Sequence, residues 1–152
     1  MNIADAFPES YRQDFANRNI DIGSAILIKM PDFDVNYDKY VIYLSESASD
    51  QTKCGILIIN TKINQNINFN IYLLSQHILI DVLRHDFLDE DSYIDCTQIH
   101  PKDIQEIVDH ISNNPKNLCG NVQEDIMIKV KDLLINSRVL SNNDKRKYKL
   151  IK

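Results

Sequence analysis

Two apolar runs joined by a short polar link constrain this chain most. Lys39-Tyr-Val-Ile-Tyr-Leu-Ser45 is followed by Glu46–Lys53 and then by Cys54-Gly-Ile-Leu-Ile-Ile-Asn-Thr61. Both runs are rich in β-branched and aromatic residues and are too short for a confident helix. They suit strands buried on both faces. The link Glu46-Ser-Ala-Ser-Asp-Gln-Thr-Lys53 is small and polar, as a turn should be. Short polar residues flank the pair: Asp38 and Lys39 at one end, Asn60, Thr61 and Lys62 at the other. Rigid strands that end in such groups are a good place to build a site.

The rest of the chain is read around that pair. Pro8–Asn17 suits a short helix with Tyr11 and Phe15 on one face. Ala25–Met30 reads as a first strand ended by Pro31, followed by the acidic loop Asp32-Phe-Asp-Val-Asn-Tyr-Asp38. In Lys62–Asn70, apolar residues alternate with asparagine, as in an edge strand or in a loop with apolar anchors. Ile71–Leu74 and His77–Ile80 read as extended segments, Leu83–Asp91 as a charged connector, and Ser92–Gln98 as a half-buried strand. Then the period changes. Pro101 suits the first position of a helix whose stripe is Ile104, Ile107, Val108 and Ile111. Gln123–Ile135 reads as a second helix with Ile126, Val130, Leu133 and Leu134 inward. Ser141 suits the cap of a last basic turn, Asp144–Leu150. Strands followed by helices predict an α+β, mainly β fold: a small antiparallel barrel or sheet with C-terminal helices and a short N-terminal helix.

At 152 residues one domain is expected, with apolar and charged fractions (43% and 26%) of an ordinary globular protein. No apolar run reaches membrane-span length and no secretory leader is visible, so no membrane partner is expected. Three cysteines without paired spacing suit a reducing cytoplasm rather than a disulfide frame or a zinc site. Lys129–Lys152 carries eight basic and two acidic residues, a local +6 that leaves −11 on the remaining 128 against a total of −5. A basic end on an acidic body fits nucleic acid, an acidic partner or simply a solvated terminus.

Several residues can carry chemistry. Lys39 can present charge to a phosphate, and acts as a base only where burial lowers its pKa. On a strand edge it can equally be solvated. Thr61 can donate one hydrogen bond, or simply end a strand. Arg84-His85-Asp86 combines an anion binder with a titrating imidazole, unless it is only a charged loop. His77 in an apolar segment reads as a core histidine, and His100 before a helix as a cap. Phe33, Tyr37 and Tyr40 near Lys39 could stack bases or anchor a loop, and the acids around them oppose RNA. The histidines lack ligand spacing, and no phosphate-cradling loop or acyl-transfer motif occurs, so neither a metal nor a cofactor is expected.

Gly23-Ser-Ala-Ile-Leu-Ile, Lys39–Ser45, Gly55–Thr61 and Asp91-Ser-Tyr-Ile-Asp-Cys96 come in the order and spacing of the MazF/PemK-like toxins, which the chain resembles over about residues 23 to 112. Residues 1–22 and 113–152 would then be extensions of one domain. The resemblance implies an SH3-like barrel, a homodimer, and a metal-independent endoribonuclease that cuts single-stranded RNA and is held by a cognate antitoxin. In that pattern an arginine followed by proline opens the second strand and a hydroxyl residue closes the third. Thr61 matches the hydroxyl, Lys39 stands where the arginine is expected and Tyr40 where the proline is. Gly23-Ser24 replaces the usual Gly-Asp. The resemblance thus marks Lys39 and Thr61 as catalytic, while Tyr37, Tyr40, Arg84 and His85 are, by residue type alone, the substrate-binding candidates. Without the Arg-Pro pair, a catalytically idle barrel that binds another protein, in a phage or defence setting, is the alternative.

Overall fold

The computed structural model describes residues 8–29 and 38–152, and the side chain of Lys29 is not among what it describes. Pro31, Asp32, Phe33, Asp34 and Tyr37 lie outside the described residues. The two apolar runs form β2 (Asp38–Glu46) and β3 (Lys53–Asn60), paired antiparallel with Val41 opposite Ile58, Ile42 opposite Leu57 and Tyr43 opposite Ile56. Their link is a turn closed by its own side chains. Ser47 Oγ accepts from Asp50 N (3.3 Å), and Asp50 Oδ1 accepts from Thr52 N (3.0 Å) and Thr52 Oγ1 (2.6 Å).

Around this hairpin a six-stranded antiparallel sheet is assembled. β1 (Ser24–Lys29) pairs with β2, and β5 (Ser92–Asp103) pairs with β3 along its length. β4 (His77–Ile80) pairs with the first part of β5, and β6 (Leu118–Asn121) lies outside β1. The order is β4-β5-β3-β2-β1-β6, curled into a half-barrel. Five α-helices complete the described residues: α1 (Glu9–Asn19), α2 (Ile71–Ser75), α3 (Ile104–Asn113), α4 (Glu124–Ile135) and α5 (Asn142–Lys147).

The sheet is covered on both faces, which explains why β3 is apolar without alternation. Ile42, Leu44, Leu57, Ile59, Ile78 and Ile94 point to a core closed by Ile126, Met127, Val130 and Leu134 of α4 and by Tyr148. Ile26, Ile28, Val41, Ile56 and Ile58 point the other way, against Ile107, Val108 and Ile111 of α3 and Ala16 of α1. The expected stripes of both long helices are thus the buried ones. Ser141 caps α5 by accepting from Asp144 N (3.0 Å).

Four expectations are corrected. Ile71–Leu74 is helical, because Asn70 caps it by accepting from Leu73 N (2.8 Å). Pro101 lies in β5 opposite Gly55, and α3 starts three residues later. β4 reaches only to Asp95, so Pro101 sits where β5 is paired on one side, and its missing N–H breaks no ladder. Tyr11 and Phe15 are 65% and 44% exposed, because α1 turns Ala16 rather than these rings into the core beside α3. Lys62–Asn70 is a run of turns in which Ile67 and Phe69 face outward rather than anchoring. β6 was not anticipated.

The C-terminal segment locks onto the hairpin. Ala48 N donates to Lys147 O (2.7 Å), Lys149 Nζ lies 3.6 Å from Glu46 Oε1, and the Tyr148 ring covers Gly55. A Cβ on Gly55 would come within 2.6 Å of Tyr148 Cδ1 and 2.7 Å of Ile99 Cγ2. Gly55→Ala should therefore destabilise the protein by about 1–3 kcal/mol through overpacking. Urea unfolding checks this, with Gly55→Ala/Tyr148→Leu recovering part of the loss.

Candidate functional site

The hairpin places Lys39 at the start of β2 and Asn60 at the end of β3, and the Lys39 ammonium donates to Asn60 Oδ1 at 2.7 Å. Thr61 follows directly and is exposed. The structure therefore brings Lys39 and Thr61 to the same end of one strand pair. Lys39 is half-buried, and that desolvation holds its pKa below the ordinary lysine value. A lowered pKa raises the fraction of neutral amine available to accept a proton, and the ammonium form carries charge for a phosphate.

The register extends this end across two more strands. Asn60 is opposite Tyr93 of β5, and Tyr93 is opposite Leu79 of β4. One step inward, Ile58 is opposite Asp95, and Asp95 is opposite His77. Lys39, Asn60, Tyr93 and Leu79 thus form a row on the face that carries Val41 and Ile58, with Asp95 and His77 in the row behind. Leu79 is 48% exposed. Asp95 Oδ1 accepts from Thr97 N (2.9 Å) and Thr97 Oγ1 (2.5 Å) and lies 3.6 Å from His77 Nε2. His77 donates from Nδ1 to Leu73 O (2.9 Å) and its side chain is almost fully buried, as expected of a core histidine. Tyr93 and Asp95 were not singled out from the sequence as candidates. Their alternation in Ser92–Gln98 was a signal that they share a face, but only the register names their neighbours.

The remaining expected residues sit elsewhere. Tyr40 points to the opposite face of the sheet, with its ring centroid 5.7 Å from that of Phe87. His85 stands edge-on to Phe87 at 5.9 Å and is buried. Its Nδ1 donates to Asp81 O (2.8 Å) and its Nε2 accepts from Gln123 N (3.1 Å), so both nitrogens are committed to backbone. Arg84 forks onto Asp125 with two 3.1 Å bonds and reaches Asp81 Oδ1 at 3.3 Å. The pair is charge-assisted, so Asp125 is held below the usual carboxylate range. Arg84 and His85 thereby fasten the connector before β5 to the start of α4. Tyr37 lies outside the described residues.

Other features are weaker candidates. An open cleft of about 460 Å³ lies beside α3, lined by Ile28, Asp38, Glu106 and His110 among others. Lys102 on its wall is already paired with Glu106 at 3.3 Å. Among the described residues, no three His, Cys, Asp or Glu side chains gather as metal ligands, and no helix is long and apolar enough to cross a membrane. Compared with known proteins, the chain matches no family model and no curated protein.

Two titrations check this account. Lys39 should titrate below the ordinary lysine value in a side-chain NMR titration, and lower still in Asn60→Ala, which removes an acceptor from the ammonium. The folded state binds this proton less tightly than the unfolded chain. Its contribution to stability should therefore rise with pH between the lowered folded pKa and the ordinary value. Asp125 has the same slope in an acid window: its contribution is present at neutral pH and fades as pH falls from the ordinary carboxylate value through its lowered pKa. Arg84→Met should return the Asp125 titration toward the usual carboxylate value.

Proposed function

We propose that this chain is an endoribonuclease of the MazF/PemK kind, cutting single-stranded RNA at the Lys39–Asn60–Thr61 end of the hairpin. The supporting observation is the 2.7 Å bond that sets the Lys39 ammonium against Asn60, next to the exposed Thr61 hydroxyl. A lysine paired with an amide, and a hydroxyl residue next in sequence at the same strand end, offer the groups that a bound phosphate needs. In the reaction the 2′-oxygen attacks the adjacent phosphorus, the P–O5′ bond breaks, and the products are a 2′,3′-cyclic phosphate and a 5′-hydroxyl. The neutral fraction of Lys39 would take the 2′-hydroxyl proton, the ammonium so formed would face the charge building on the phosphate, and water would protonate the departing 5′-oxygen. Thr61 would donate to a non-bridging oxygen as charge builds on it. Asn60 positions the amine.

A second reading is favoured by the carboxylates around the same end of the sheet. Asp81, Asp91 and Asp125 cluster near the start of β5 and α4, where Arg84 is held by Asp81 and Asp125 and the side chain of Asp91 accepts from Val82 N (2.9 Å). An acidic rim with its arginine occupied suits a catalytically idle module that binds a basic protein surface.

Cleavage of a long unstructured RNA in EDTA separates the two. On the first reading wild type cuts it to cyclic-phosphate ends, Lys39→Ala loses about 100-fold or more, and Thr61→Val loses about 10-fold. Intact RNA with wild type and Lys39→Ala alike sinks the nuclease reading and leaves the binding module.

A further inference from the structure

We propose that the same face holds the base next to the bound phosphate, with Tyr93 as its stacking platform and Asp95 reading its amino edge. The ligand would be a single-stranded RNA segment presenting a base with an exocyclic amino group at this position. The inference rests on the phosphate reading of Lys39 and adds the determinants of sequence preference.

Three observations carry it. The first is placement: Tyr93 lies directly across β3 from the Lys39 side, with Asn60 between them. Two strand spacings, about 10 Å, separate Lys39 from Tyr93, within the span of one dinucleotide. The second is that Tyr93 is only partly buried although it lies mid-sheet between β3 and β4. Its ring stacks on no aromatic and its hydroxyl makes no hydrogen bond among the described residues. A half-exposed Leu79 flanks it and extends the apolar floor. The third is the way Asp95 is held. Its Oδ1 is fixed by Thr97, while Oδ2 accepts nothing from the described residues. The two side chains are two residues apart on one strand, so they project to the same face about 7 Å apart. Bases in single-stranded RNA are read in this manner, by a ring beneath and a polar group at the Watson–Crick edge. A carboxylate only accepts, so it pairs with the amino group of cytosine, adenine or guanine and is repelled by the O4 of uracil.

The test uses uncleavable 2′-O-methyl octamers of cytosine, adenine and uracil and reads binding by fluorescence anisotropy, with folding of each variant checked by circular dichroism. Wild type should bind the cytosine and adenine octamers about 10-fold tighter than uracil. Tyr93→Leu should weaken all three by about 10-fold, with Tyr93→Phe close to wild type. Asp95→Asn, whose amide can donate to O4, should narrow or reverse the preference. A folded Tyr93→Leu that binds within twofold of wild type, or a wild type blind to the base, overturns the inference while the phosphate reading stands if Lys39→Ala still loses binding. No binding by wild type overturns both.

Discussion

Burial of one hairpin on both of its faces is the constraint from which the rest of this fold follows. β2 and β3 carry isoleucine, leucine and valine on alternate sides, so each side must be covered. α4 and Tyr148 cover one, α3 and α1 the other. Either layer alone would leave a wall of apolar side chains in water, at roughly 25 cal/mol for each Å². The hairpin is consequently held at its middle from both sides, and its polar ends inherit that rigidity. The Lys39–Asn60 contact lies at one of these ends, and the docked C-terminal segment secures the other.

Charge is partitioned by the same packing. The basic C-terminal stretch is not a uniform cationic surface. The Lys145 ammonium is buried and donates to Ser137 O at 2.7 Å, Lys149 faces Glu46, and Arg138 lies over the Tyr72 ring at 4.3 Å. These cations bind the chain to itself before they meet any ligand. Near the start of β5, Arg84 and His85 likewise fasten secondary structure. Among the described residues, the candidate strip lies on the α3 side of the sheet, running from Lys39 past Tyr93 toward His77.

Much of this was legible along the chain. Periodicity placed the strands and the stripes of α3 and α4, because each pattern reports a local geometry that burial then exploits. That Lys39 and Thr61 lie at the same end of one strand pair was legible for the same reason, because the start of one hairpin strand faces the end of the other. The failures also have local physical causes. A single asparagine cap turned Ile71–Leu74 into a helix that β-rich composition could not announce. Pro101 looked like a helix start, but the stopping of β4 at Asp95 made it acceptable in a strand.

By itself, the sequence determined that two strands would be buried on both sides and that polar groups would cluster at their ends. It did so because alternation and turn chemistry act between near neighbours. Only the tertiary structure decided which residues stand beside those ends. Asn60, Tyr93 and Leu79 meet through pairing between strands far apart in the chain, and a shift of one residue in either pairing would send Tyr93 to the other face. The fate of His85 was decided in the same way, by a backbone N–H of Gln123 that lies 38 residues away and occupies its second nitrogen.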